Sequence, residues 1–234
     1  MNERTWERMG AVSGLTAAAL LVAAFVVAPG APGLDARPII IARYLDEHRV
    51  EVLAASMLIT LAVVAFLWFV AHLRHVLQRA EGGAEAFSPV VLVSGVSLAT
   101  VCALSMVPLM ALAKLTARPT ALGEFEAVRV LYGMHQLSLG PIGLLTALFA
   151  VSTGAAMVRR ELAGPWLGLL GMVVAVIGLV TGIGSFLATS SGIVMLLAYA
   201  MGIAFALWIA ATSVIMILHP EVERITAAHG VFAR

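Results

Sequence analysis

The stretch Glu124–Arg160, EFEAVRVLYGMHQLSLGPIGLLTALFAVSTGAAMVRR, decides how the rest of the chain is read. It enters with Glu124, Glu126 and Arg129, continues apolar from Leu137 past Met157, and stops at Arg159-Arg160. A run of that length, apolar and bounded by charge, reads as a membrane-spanning helix. It is also the only long apolar segment with an ionisable residue, His135, well inside it. At about 100° per residue, Arg129, Tyr132, His135 and Gln136 fall within an arc of about 120°. Four polar groups therefore share one helix face near one end of the span. Hydrocarbon offers no water to satisfy them, so this face is expected to turn toward other helices or a wet cavity.

Composition extends the membrane reading to the whole chain. Of 234 residues, 62% are hydrophobic and 12% charged, with mean hydropathy +1.03; soluble domains are about 25% charged. The formal charge of +1 carries no basic excess for a nucleic-acid partner and no acidic tail. One cysteine, Cys102, lies mid-span, which rules out an intrachain disulfide and any CxxC redox or zinc motif. The basic residues are thirteen Arg and one Lys, a bias associated with GC-rich bacterial genomes.

Five further apolar runs complete the expected architecture. The first, Gly10–Ala28, follows Arg4 and Arg8 and is longer than a signal-peptide core, so it reads as a retained span. The loop from Pro29 to Val50 carries a short amphipathic helix from Ala36, capped by Asp35, with Ile40, Ile41, Tyr44 and Leu45 placed to lie on the membrane surface. The second span runs from Val52 to Ala71 and continues into His72, Arg74, His75 and Arg79, read as an interfacial basic patch rather than a metal pair because no third ligand is near. Gly82-Gly83 ends that helix, and Ser88-Pro89 starts the third span, Val90 to about Leu115. Pro108 kinks the third span and Pro141 the fourth, which leaves room between neighbours. The fifth, Trp166–Ala188, carries the small-xxx-small pair Gly178 and Gly182, with Gly133, Gly140 and Gly143 of the fourth span as the expected partners. The sixth runs from Ile193 to Leu218, and His219-Pro220 ends it ahead of a short polar tail.

The fold expected is therefore all-α: one six-helix transmembrane domain over residues 1–234, with the short amphipathic helix outside between spans one and two. With both termini cytoplasmic, eight basic residues lie inside and six outside. The last hairpin sets the orientation, because its cytoplasmic flanks hold four arginines and its outer turn, Thr189–Gly192, holds none. The expected location is the bacterial inner membrane.

In that orientation His135 lies about 10 Å inside the outer boundary, at 1.5 Å per residue. Counting inward from the other outer ends brings Ser56, Thr181, Ser185 and Tyr199 to a comparable depth. Arg129, Tyr132, His135, Gln136, Thr181, Ser185 and Tyr199 form the candidate ligand-binding set. His135 is expected to face the interior as a neutral imidazole, bonded to a hydroxyl or carbonyl of another span, with Tyr199, Thr181 and Ser185 the named partners. The apolar cores hold no Asp or Glu for proton-coupled transport. His72 and His135 sit at opposite edges, unsuited to axial ligation of haem, and no nucleophile or metal motif marks an enzyme.

On YLDEHR (44–49), QRAEGG (78–83) and GPWLGLLG (164–171), the chain resembles uncharacterised multi-pass membrane proteins of GC-rich bacteria, grouped as domains of unknown function. The resemblance covers most of the chain and implies the fold without an activity or catalytic residues. The function expected is a non-enzymatic accessory, sensing or assembly bundle. The alternative is an outward-facing pocket that handles a small ligand or lipid, transporter-like or a membrane enzyme, centred on His135. No metal or cofactor is called for, and the partners expected are membrane lipids and a second protein or a copy of the chain.

Overall fold

The computed structural model describes residues 3–28, 30–33, 35–81, 86–115, 124–160, 165–187 and 191–218. Among them every regular element is an α-helix: α1 Glu3–Val27, α2 Pro38–Glu47, α3 Arg49–Glu81, α4 Ser88–Leu115, α5 Glu124–Leu137, α6 Leu139–Arg160, α7 Pro165–Leu187 and α8 Ser191–Leu218. Six stretches are long and apolar enough to cross a membrane, with α5 and α6 together forming the fourth. The chain is a multi-pass membrane protein built as a helical bundle. The Gly82-Gly83 stop, the connection through Pro119 to Gly123, the Thr189-Ser190 turn, the His219-Pro220 stop and the polar tail lie outside the described residues.

The two prolines act differently. Pro108 sits inside a continuous α4. Pro141 lies just past a break at Ser138, which separates α5 from α6. A proline has no N–H, so the Leu137 carbonyl loses the donor it would meet four residues on. The break is held by Ser138, whose N–H donates to the Met134 carbonyl at 3.2 Å and whose carbonyl accepts from Ile142 at 3.1 Å. Its hydroxyl donates to the His135 carbonyl at 2.6 Å.

The helices α6 and α7 form the closest pair in the bundle. A Cβ on Gly143 would stand 2.6 Å from the Gly182 nitrogen and 2.8 Å from the Gly178 oxygen, so only glycine lets the two backbones meet. The seam continues at Gly154, where a Cβ would lie 2.7 Å from the Gly168 oxygen. At the other end Gly140 abuts the ring of Phe186, next to the last residue of α7. Helices α1, α3 and α8 meet in the same way, with Gly14 beneath Phe69 and Ser213, and Gly10 beneath the His72 ring.

Two apolar cores result. The larger joins α1, α3, α4, α6, α7 and α8 around Phe66, Phe69, Phe149 and Trp208. Its rings pack edge to face, with Phe66 5.3 Å from Phe149 and 5.6 Å from Phe205. The indole N–H of Trp208 donates to the Leu167 carbonyl at 3.0 Å, which ties α8 to α7. The smaller core lies at the end of the bundle away from the start of α1 and the end of α8, where Ile41 and Leu45 of α2 meet Val52, Leu112, Ala113, Val128 and Tyr132.

The sequence placed Ile41 and Leu45 on the membrane surface; instead both are fully buried in this second core, while Ile40 remains exposed. A lipid surface and a protein interior reward the same apolar face, so periodicity does not separate them. The helix also starts later than expected, with Arg37 at the N-cap position and Pro38 at its first turn. Pro38 suits that place because its missing N–H would find no intrahelical partner there.

Candidate functional site

Between the two cores lies a cavity of about 270 Å³. Helix α4 lines it from Leu98 to Leu109, and the broken α5–α6 span lines it from Tyr132 to Thr146. Neither Pro108 nor Pro141 lines it. Helices α1, α3 and α8 complete the wall, Tyr44 of α2 covers one end, and α7 contributes nothing.

The polar groups gather at the end nearest α2. The His135 ring binds the Ser105 carbonyl of α4 through Nδ1 at 2.8 Å. A carbonyl can only accept, so Nδ1 carries the proton and Nε2 of the neutral ring is left as an acceptor. Ser105 lies three residues before Pro108; the carbonyl that the proline leaves without its helical donor is that of the neighbouring Leu104.

Tyr132 and Gln136 form a second chain of bonds. The Tyr132 hydroxyl donates to the Pro32 carbonyl, which pins the loop after α1 onto α5. Having spent its proton there, the Tyr132 oxygen accepts from the Gln136 amide Nε2 at 3.1 Å. That bond turns the amide nitrogen toward Tyr132 and Met195, with the sulfur of Met195 at 3.8 Å. The Gln136 carbonyl receives no donor among the described residues. Tyr199 of α8 also faces the cavity, its ring 5.6 Å from Phe25, and its hydroxyl has no partner among the described residues. Burial, followed by the nearby phenols Tyr132 and Tyr199, raises Tyr44 above the ordinary phenol range, so it stays a neutral hydroxyl.

Below this layer the wall is apolar apart from Cys102 and Thr146, and it closes on Phe66, Phe205 and Ile209. From Met195, beside Gln136, to Phe205 is ten residues of α8, about 15 Å at 1.5 Å per residue. Among the described residues, no Asp, Glu, Lys or Arg lines any part of the cavity.

Comparison with protein-family models, curated proteins and solved structures gives no match to this chain.

Of the seven residues singled out from sequence, Tyr132, His135, Gln136 and Tyr199 line this one cavity. Arg129 does not; it is exposed at the edge of the polar arc on α5. Thr181 and Ser185 do not either, and neither bonds His135. Each donates to its own helix, Thr181 to Ile177 and Ser185 to Thr181, both at 2.8 Å. Counting residues inward gave their level but not the direction they face, and the glycine face of α7 turns them to the α6 seam. Tyr199 shares the cavity with His135, but the partner of His135 is a backbone carbonyl that no side-chain inventory contains. Tyr44, Phe25 and Met195 were missed because their contact with the site depends on how α1, α2 and α8 fold over it. Pro108 marks a carbonyl on α4 that loses its donor, but that is Leu104, one residue before the Ser105 that His135 binds. At the other end of α3, His72 packs against α1 and His75 is exposed; among the described residues no group of three potential ligands could hold a metal.

Proposed function

We propose that the protein is a non-enzymatic sensing or accessory bundle of the bacterial inner membrane that takes a small lipid-like ligand into the cavity beside His135. The observation that carries this reading is the cavity itself: 270 Å³ of open space, close to the roughly 300 Å³ lower bound of ordinary ligand pockets, polar at one end and apolar at the other. A bundle needing only stability would close such a space, since empty volume in a core is destabilising. The α2 end, with the polar layer, faces outward in this reading, and both termini are cytoplasmic. The basic residues flanking the last hairpin support that orientation.

The test is to fill the cavity from its wall. Ala62 and Ala99 are buried residues that line it. In nanodiscs, the Ala62→Leu and Ala99→Met variants are expected to fold with unfolding temperatures near or above the parent. They are expected to lose a small amphiphile that co-purifies with the parent and is identified by mass spectrometry of the extracted lipids. Identical extracts from parent and variants would defeat the reading.

A further inference from the structure

Resting on that reading, we infer that the ligand is an uncharged single-chain amphiphile whose head is a hydroxyl, a long-chain alcohol, seated with its O–H at His135 and Gln136 and its tail toward Phe66 and Phe205. The charge of the head follows from the wall. Among the described residues no ionised side chain faces the cavity, and an ion moved there would lose its hydration without gaining a counter-ion. Phosphate, carboxylate and ammonium heads are therefore disfavoured.

The donor character of the head follows from which lone pairs are already used. Backbone carbonyls fix both polar side chains: Ser105 holds the proton of His135 on Nδ1, and Pro32, through Tyr132, turns the Gln136 amide nitrogen away. What remains for a ligand is Nε2 of His135 and the carbonyl of Gln136, both acceptors. The Tyr199 hydroxyl can donate in return to the ligand oxygen. One hydroxyl gives its single proton to one of these two acceptors and accepts from Tyr199; a ketone, an ester or an ether offers no proton to either.

The single chain follows from shape. The apolar part is a passage about 15 Å long between α1, α3, α4 and α8, closed below by the aromatic cluster. Hydrocarbon gains little on moving from a bilayer into such a passage, because lipid tails are as apolar as the wall. Selection therefore falls on the head. Hydrogen bonds inside membranes are worth about 0.6 kcal/mol on average and up to about 1.7, so pairing the hydroxyl should favour an alcohol over its methyl ether by about threefold, and at most by about eighteenfold.

The experiment uses the full chain in nanodiscs and hexadecanol bearing a diazirine at its terminal carbon. Irradiation is expected to label α3 and α8 around Phe66 and Phe205, and the labelled residues are located by peptide mass spectrometry. Unlabelled hexadecanol should compete at least about threefold better than its methyl ether, and better than palmitate or hexadecyltrimethylammonium. The doubly substituted His135→Leu, Gln136→Leu variant should erase most of the preference over the ether while keeping the parent's unfolding temperature within a few degrees. Equal competition by alcohol and ether, or a lead for the acid or the ammonium, would overturn the hydroxyl inference while leaving the cavity a binding site. Labelling at the floor no stronger than at lipid-facing Val176 of α7 would overturn both.

Discussion

His135 shows how small the energy of a single intramembrane contact is. Its bond to the Ser105 carbonyl is replaceable, so His135→Leu is expected to cost only about 0.6 kcal/mol, and at most about 1.7. His135→Asp should be far worse, because a carboxyl at that place must either ionise without a cation or bury a proton on an acid. Thermal unfolding of detergent-purified variants ranks the two, and an Asp variant as stable as the Leu variant would contradict the buried, uncharged setting described above. Gly143 is the opposite case. Its Cβ would meet backbone atoms of α7 at 2.6 and 2.8 Å, atoms that cannot rotate away. Gly143→Val is expected to lose about 3 kcal/mol or to force α6 and α7 apart. Gly184, with nothing within 4 Å of an added Cβ, tolerates alanine within about 0.5 kcal/mol, and the pair separates a steric effect from a general intolerance of glycine replacement.

Among the elements, the joint between α3 and α4 rests on one carboxylate. Glu81 is 3% exposed and accepts from the Phe87 and Ser88 backbone N–H groups at 2.8 and 3.2 Å and from the Ser88 hydroxyl at 2.9 Å. An anion over the open N–H groups of a helix start is favourable both as a cap and against the helix dipole. Glu81→Ala should cost about 1.5–3 kcal/mol, and Glu81→Gln less, because an amide oxygen still accepts. Helix α2 gives a pH-dependent counterpart. The Glu47 carboxyl is held below the ordinary carboxylate range, first by a hydrogen bond from Arg43 Nε and then by its charge. A lowered carboxylate contributes above its unfolded pKa and loses that contribution as pH falls through the folded one. Arg43, raised by the same bond, stays charged throughout. Amide exchange in α2, corrected for intrinsic rates, is therefore expected to quicken between pH 6 and pH 3, and the Glu47→Gln variant should show no such step. The sequence revealed these helices where a long apolar run or a glycine pair left a one-dimensional mark, as with Gly178 and Gly182 against Gly143. It concealed the burial of Ile41 and Leu45, because their packing partners Leu112, Val128 and Tyr132 lie far along the chain.

For the molecule as a whole, the six spans were legible because membrane helices must satisfy their backbones internally and so appear as uninterrupted apolar runs. The site was half legible: depth follows from counting, whereas azimuth depends on which faces pack. Orientation is open to direct measurement. In a Cys102→Ala background, a cysteine at Gly82 is expected to react with impermeant thiol reagents only in opened cells, and one at Gly123 in intact spheroplasts. The reverse pattern would invert the bundle and turn the cavity's polar end to the cytoplasm.

Helix α7 can serve as a gauge of where the bilayer ends. Its 23 residues span about 35 Å, close to a hydrocarbon core of about 30 Å, and its last turn abuts Gly140. His135, five residues before Gly140 in the chain, then stands about 7 Å beyond that level, at the height of the headgroups yet enclosed by the bundle, rather than the 10 Å deep in hydrocarbon implied by counting from the start of α5. An arriving head group would not have to cross oil; it would shed its water only on seating beside His135, while its tail tips sideways into the bundle. Bilayer thickness becomes a control on hydration: a thicker membrane would submerge the His135 layer, and a thinner one would leave it awash.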